Sequence, residues 1–224
     1  MNTEFQQSLQ FQLPSPTKLF TPAVTVFLIL MILGYTALIY FSQATTVWLA
    51  LVPSGLMQGR IWQLLTYSFL NPCPCNLAFN GIILLFVGSQ VEREWKTKSF
   101  LMLWLAVTGV CGLAWAAVNI LFGWNYAGVG TDGFVYGIIA AFGLLFRRQK
   151  ILFFFWTTEA QFVALLLIGI GLIVGIANPI SWVWVGGALV SYIFIKSLWA
   201  LKKQKTEKLS AQPVVRSKGF VDLE

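Results

Sequence analysis

Histidine is absent from all 224 residues. With it go the commonest general base, the commonest metal ligand and the usual pH switch. Charge is scarce too: Asp, Glu, Lys and Arg make up 10% of the chain, against about 25% in a soluble domain. So few charges cannot build a water-facing surface, and lipid must cover much of it. Cysteine is limited to Cys73, Cys75 and Cys111, which excludes a disulfide framework. The Cys73-Pro74-Cys75 step has no histidine and no second cysteine pair beside it, so neither a metal site nor a cofactor is assigned. The net charge of +7 is carried by cations lying between hydrophobic runs and in the last stretch of chain. They make no basic face interleaved with aromatics, which argues against nucleic acid as a partner.

What the sequence does have is apolar length. Hydrophobic residues make up 58% of it, and its mean hydropathy is +0.76. The size suits one membrane domain. A bilayer core of about 30 Å needs roughly 20 apolar residues in a helix. Six such runs are read at residues 22–41, 76–91, 99–121, 131–146, 158–177 and 181–199. The first is long enough to act as a signal anchor. Thr158 and Gln161 have the spacing of a capping box, which starts the fifth span at Thr158. Residues 42–75 are apolar but broken by Pro53 and Gly55, and read as an interfacial first loop. Ile151–Trp156 reads as a second interfacial piece. The organisation is a polar tail at 1–20, a membrane domain at 21–200 and a basic, disordered tail at 201–224.

With six crossings, all of the 15 Lys and Arg except Arg60 fall on one side. By the positive-inside rule both termini are then cytoplasmic. Arg147, Arg148 and Lys150 read as topology determinants and anionic-lipid contacts. The fourth span, 16 residues and roughly 24 Å long, is shorter than the membrane. Its start at Gly130–Gly133 therefore lies below the outer surface, where non-helical backbone must be buried in protein or face a water-filled cavity. Asp132, an acid at that depth, either caps the helix, sits in cavity water or contacts a ligand. Gly133, Gly137 and Ala141 on the fourth span, and Gly187 and Ser191 on the sixth, recur every four residues. That is the spacing of two closely approaching membrane helices.

Five segments in order resemble the rhomboid family of six-helix intramembrane serine proteases and their inactive relatives. Gly59-Arg60-Ile61-Trp62-Gln63-Leu64-Leu65-Thr66 resembles G-x-x-W-R-x-x-T, with Gln63 for arginine. Asn76-Leu77-Ala78-Phe79-Asn80 resembles H-L-x-x-N, and the pattern continues through Leu84, Gly88 and Glu92. Gly130-Thr131-Asp132-Gly133-Phe134-Val135-Tyr136-Gly137 resembles G-x-S-G-x-x-Y, and Gly187 with Ser191 fits the sixth helix.

The resemblance implies an all-α, six-helix bundle. It also puts Asp132 at the serine, Trp184 at the histidine and Asn76 at the oxyanion-binding histidine of the family. A dyad needs a hydroxyl and a base to take its proton, and an aspartyl protease needs two carboxylates at one site. The expectation is a pseudoprotease of the bacterial plasma membrane. Its cavity residues Asn76, Asn80, Asp132, Tyr136 and Trp184 would bind transmembrane segments of client proteins. A structural subunit of a membrane complex, as a homo- or hetero-oligomer, and a protease with residual activity stand as alternatives.

Overall fold

Pro22 opens the first long helix, α1 (Pro22–Tyr40), at the position where a missing N–H costs nothing. The computed structural model describes residues 19–153, 156–177 and 181–210. The cap of α1 comes from far along the chain. The Glu92 carboxylate accepts from the Ala23 and Val24 backbone amides at 3.0 and 3.1 Å, and from the hydroxyls of Thr21 and Thr97. An anion at a helix start satisfies orphan donors and matches the helix dipole. Val24, Phe27, Met31 and Gly34 face inward on α1, while Ile29, Ile32 and Leu33 are exposed. That outward apolar stripe is suited to lipid contact.

Residues 42–75 are more structured than a simple interfacial loop. They hold α2 (Ser42–Leu49), α3 (Pro53–Met57), α4 (Gln63–Thr66) and a 3₁₀ turn at Tyr67–Phe69. Short helices arise here because side chains take over the backbone's hydrogen bonding. Gln63, fully buried, accepts from the Val52 amide and donates to the Val47 carbonyl at 2.8 Å. Thr66 donates to the Leu49 carbonyl, and Trp62 to that of Trp48.

Next come α5 (Pro74–Ile83), a π turn at Leu84–Gly88, and α6 (Ser89–Leu121). The second and third spans read from the sequence lie within this run. Lys96 (φ 65°, ψ 155°) breaks α6. The chain reverses there: Gly88, before it, lies by Val24, while Phe100 and Trp104, after it, touch Phe27 with ring centroids 5.9 and 5.3 Å apart.

Helix α7 (Asp132–Leu145) is the buried centre, with nine of its residues from Gly133 to Gly143 inside. Its 14 residues span roughly 21 Å. Small residues bring α9 (Ser181–Ser210) against it. A Cβ on Gly187 would collide with the Gly133 carbonyl, and one on Gly137 would sit 3.4 Å from the Gly187 carbonyl. Ser191 and Ala141 are buried nearby in the same bundle. Close backbone approach of this kind rests on van der Waals contact.

Three expectations are corrected. Helix α8 is Ala160–Ala177, because Thr158 pairs with Ile151 in an antiparallel hairpin, β1 (Lys150–Phe153) with β2 (Trp156–Glu159). No capping box forms: Gln161 instead bonds Arg147 and Glu159. The bundle is therefore not purely α, since a short run of apolar residues suits a strand as well as a helix piece. The chain from Leu201 to Ser210 is helical rather than disordered. It is made of strong helix formers with no Gly or Pro before Pro213. Residues 1–18 of the N-terminal tail and 211–224 of the C-terminal tail lie outside the described residues.

Three helical stretches are long and apolar enough to cross a membrane: Pro22–Tyr40, Pro74–Leu121 and Trp182–Ala200. Asp132–Leu145 and Ala160–Ile173 are shorter apolar helices. One end of the bundle gathers Glu92, the Lys96 turn, Arg147 and Lys196, with Trp95 against Phe194. The other holds the starts of α5 and α7.

Candidate functional site

The site is built where an irregular strand of chain enters the bundle. Residues 122–131 would carry unpaired backbone at depth, and the first loop supplies the partners. Gly128 and Leu51 exchange both backbone bonds, at 2.8 and 2.9 Å, and the Gly130 amide donates to the Tyr67 carbonyl. Gly130 has φ +131°, a value that favours glycine. A Cβ there would also lie 2.7 Å from Asp132 Oδ2. Both facts require a residue without a side chain. Thr131 then fixes the helix start by donating to the Ser68 carbonyl at 2.6 Å.

Asp132 is the first residue of α7 and is half-buried. Among the described residues, no side chain caps the start of α7. Instead α5, crossing beside it, presents two asparagines. Asn76 Nδ2 and Asn80 Nδ2 donate to Asp132 Oδ1 at 2.9 and 3.0 Å. These side chains are four residues apart and so share one helical face. The Cys73 sulfur, accepting from the Asn76 amide at 3.3 Å, caps α5 and sets where that face begins.

Asn80 is also within reach of Asn76 Oδ1 and Asn71 Oδ1, at 3.2 and 3.3 Å. An amide nitrogen has two hydrogens, so these acceptors compete. Asn71 Nδ2 and Asn80 Oδ1 are buried without a protein partner. Buried polar groups ordinarily find one, so the cluster retains capacity for a further polar group or water.

Trp184 is on the other side of the α7 start. Its ring stacks on Trp115 at 5.1 Å and lies 5.7 Å from Tyr67, centroid to centroid. It also lies against Gly133, beside the buried Cys111. Tyr136, one turn beyond Asp132, reaches the opposite way and fills the space over Gly171 of α8. It packs with Ile83, Val135, Ile139 and Ala164. The structure thus joins Asn76, Asn80 and Asp132 by hydrogen bonds, and places Trp184 and Tyr136 around them as walls.

Asn71, Tyr67 and Trp115 were not singled out in the sequence. Asn71 sits in a loop beside Pro72 with no periodic partner, and Trp115 is one apolar residue in a long apolar helix. Among the described residues no group of three His, Cys, Asp or Glu side chains gathers as a metal would need. Two cavities of the bundle, one between α7, α8 and α9 and one beside Lys96, are both lined by residues other than these.

A helical membrane protein with a polar cluster at the head of a short, buried central helix is the class these features define. Residues 58–200 match the rhomboid domain family, and the chain belongs to that family. It is 26% identical over 147 residues to the rhomboid protease GluP of Bacillus subtilis, covering 65% of this chain and 27% of that protein. It is 23% identical over 155 residues to the rhomboid protease GlpG of Haemophilus influenzae, covering 69% of this chain and 76% of that one. The chain spans about a quarter of the length of the first relative and about three quarters of the second.

Proposed function

We propose that this rhomboid-family membrane protein is non-catalytic and binds transmembrane segments of client proteins. The reading places six crossings in a bacterial plasma membrane, with both termini on the cytoplasmic side. One observation carries it. Asp132, which the family resemblance puts at the nucleophilic serine, is an acceptor for two asparagine amides, and the chain has no histidine to act as base. Acyl transfer by a hydroxyl nucleophile needs a base within hydrogen-bond reach. Trp184, at the position of that base in the resemblance, offers an N–H donor and no acceptor. Carboxylate-pair chemistry would need a second acid at the site. Glu92, another buried acid, is committed to the cap of α1 at the opposite end.

Binding without cleavage suits the remaining geometry. A client helix that unwinds near the membrane surface exposes backbone N–H and C=O groups. In lipid each such group needs a partner. Asn71 Nδ2 and Asn80 Oδ1 are a donor and an acceptor of the required kind. The experiment is photo-crosslinking in native membranes from positions on the exposed faces of α5 and α8, such as Phe79 and Leu166. Client segments should be captured intact, and Asp132→Asn and Trp184→Ala should each change the captured set. If both substitutions leave every captured partner unchanged, binding through this site is wrong. The named relatives are proteases, so transmembrane cleavage abolished by Asp132→Ala would restore hydrolysis instead.

A further inference from the structure

A groove of about 680 Å³ opens between α8 and α9 over the floor of α7, away from the Asp132 cluster. Its walls are apolar: Leu165, Ile168 and Leu172 from α8, and Val185, Gly186 and Leu189 from α9. One end is basic. Arg147 and Lys196 both line it there, with Gln161 and Tyr192. Arg147 Nε donates to Gln161 Oε1 at 2.6 Å, and Gln161 Nε2 donates to the Glu159 carboxylate at 2.6 Å. Lys196 Nζ lies over the rings of Tyr192 and Trp199 at 5.5 and 5.7 Å. Among the described residues neither cation has a carboxylate within ion-pair distance.

The dimensions choose the occupant. Gln161 to Leu172 covers roughly 16 Å of α8, and Trp182 to Lys196 roughly 21 Å of α9. Half of a ~30 Å hydrocarbon core is about 15 Å. The groove therefore spans one leaflet, with its cations at the headgroup level of that leaflet. A second apolar helix would cover the walls but leave the two cations at the mouth without an anion. Acyl chains fit an apolar slot, and an anionic headgroup matches two cations without carboxylate partners at its mouth.

We propose that this groove is a binding site for one anionic phospholipid, its acyl chains along α8 and α9 and its phosphate between Arg147 and Lys196. The Lys196–Tyr192 pair would hold the headgroup at the interface, where aromatic and cationic side chains settle. The site is separate from the Asp132 cluster, and its occupancy does not depend on client binding.

The test is native mass spectrometry of the full chain in mild detergent, with phosphatidylglycerol or phosphatidylcholine of identical chains added. Phosphatidylglycerol should be retained selectively. R147Q/K196Q should lower its retention roughly tenfold or more, as expected for removing two cations beside an anionic headgroup. G186F keeps both cations but fills the slot, since a Cβ at Gly186 meets nothing within 4 Å. It should displace the lipid as well. Circular dichroism and thermal melting establish that each variant is folded. R148Q, which does not line the groove, should bind as the parent does. Equal retention of the two lipids, unchanged retention in R147Q/K196Q, an equal loss in R148Q, or a polypeptide retained in place of lipid would each overturn the proposal.

Discussion

Two carboxylates occupy the two ends of this bundle, and they are held in different ways. Glu92 is 2% exposed and takes four donors: two hydroxyls and two backbone amides at the start of α1. Every donor comes from the protein's own frame, and the result is a fixed joint between α1 and the Lys96 turn. Asp132 is half-buried and takes two donors, both side-chain amides. Around it are a buried donor and a buried acceptor without partners. A saturated carboxylate is a structural element. An unsaturated cluster at the head of a short helix is a place where something else can bind. The difference is set by what each helix lacks: α1 has no side-chain cap of its own and borrows one, whereas the α7 start is already secured by Thr131, Gly130 and the first loop.

That contrast can be broken most directly at Glu92. Glu92→Ala removes a cap, worth about 0.5–2 kcal/mol, and strands buried donors, at about 1–3 kcal/mol. Together a loss of about 3 kcal/mol is expected, read by denaturant unfolding in detergent. The pH dependence sharpens it. Burial pushes the Glu92 carboxyl up, but the bonds from Thr21, Thr97 and the Ala23 and Val24 amides prevail and hold it below its ordinary value of about 4.5. A depressed folded value means the contribution is present above about 4.5 and is lost as pH falls through the lower folded value. Thermal melts from pH 7 to 3 should show that loss in the parent, and Glu92→Gln should lack it.

At the other end the expected effects on stability are smaller. Gly130→Ala imposes a side chain at φ +131° and pushes on the Asp132 carboxylate. The strain should cost about 2 kcal/mol, and the displaced carboxylate should change client crosslinking from α5. Asp132→Asn keeps shape and loses charge-assisted bonding. Its cost to unfolding should be about 1 kcal/mol or less, while the captured client set changes. A large stability loss in Asp132→Asn would make Asp132 a joint like Glu92 and remove the distinction.

Much of the frame could be read before the fold. Helices α1 and α7 begin at Pro22 and Asp132, against 22 and 131 from apolar runs alone. Small residues on α7 and α9 are visible as a four-residue spacing, but the approach of Gly187 to the Gly133 carbonyl is a matter of helix crossing and is not. The Asn76–Asn80–Asp132 triangle joins residues more than fifty positions apart. It was accessible only as a shared motif pattern, since no local rule predicts which helices cross. The hairpin at 150–159 was missed because a four-residue apolar strand has no period to separate it from a helix fragment. Gln63 stood out as a departure from the family pattern. Its role as a buried clasp between Val47 and Val52 depends on a loop geometry that composition does not encode.

The measurement that bears most directly on the central claim is the size of what the Asp132 site holds. A photoreactive residue at Phe79, on the exposed side of α5, should trap partners in native membranes whose transmembrane segments are full length, with yields that fall in Asp132→Asn. Trapped fragments ending inside a transmembrane segment, absent when Asp132 is changed to Ala, would contradict it and return the chain to the active proteases.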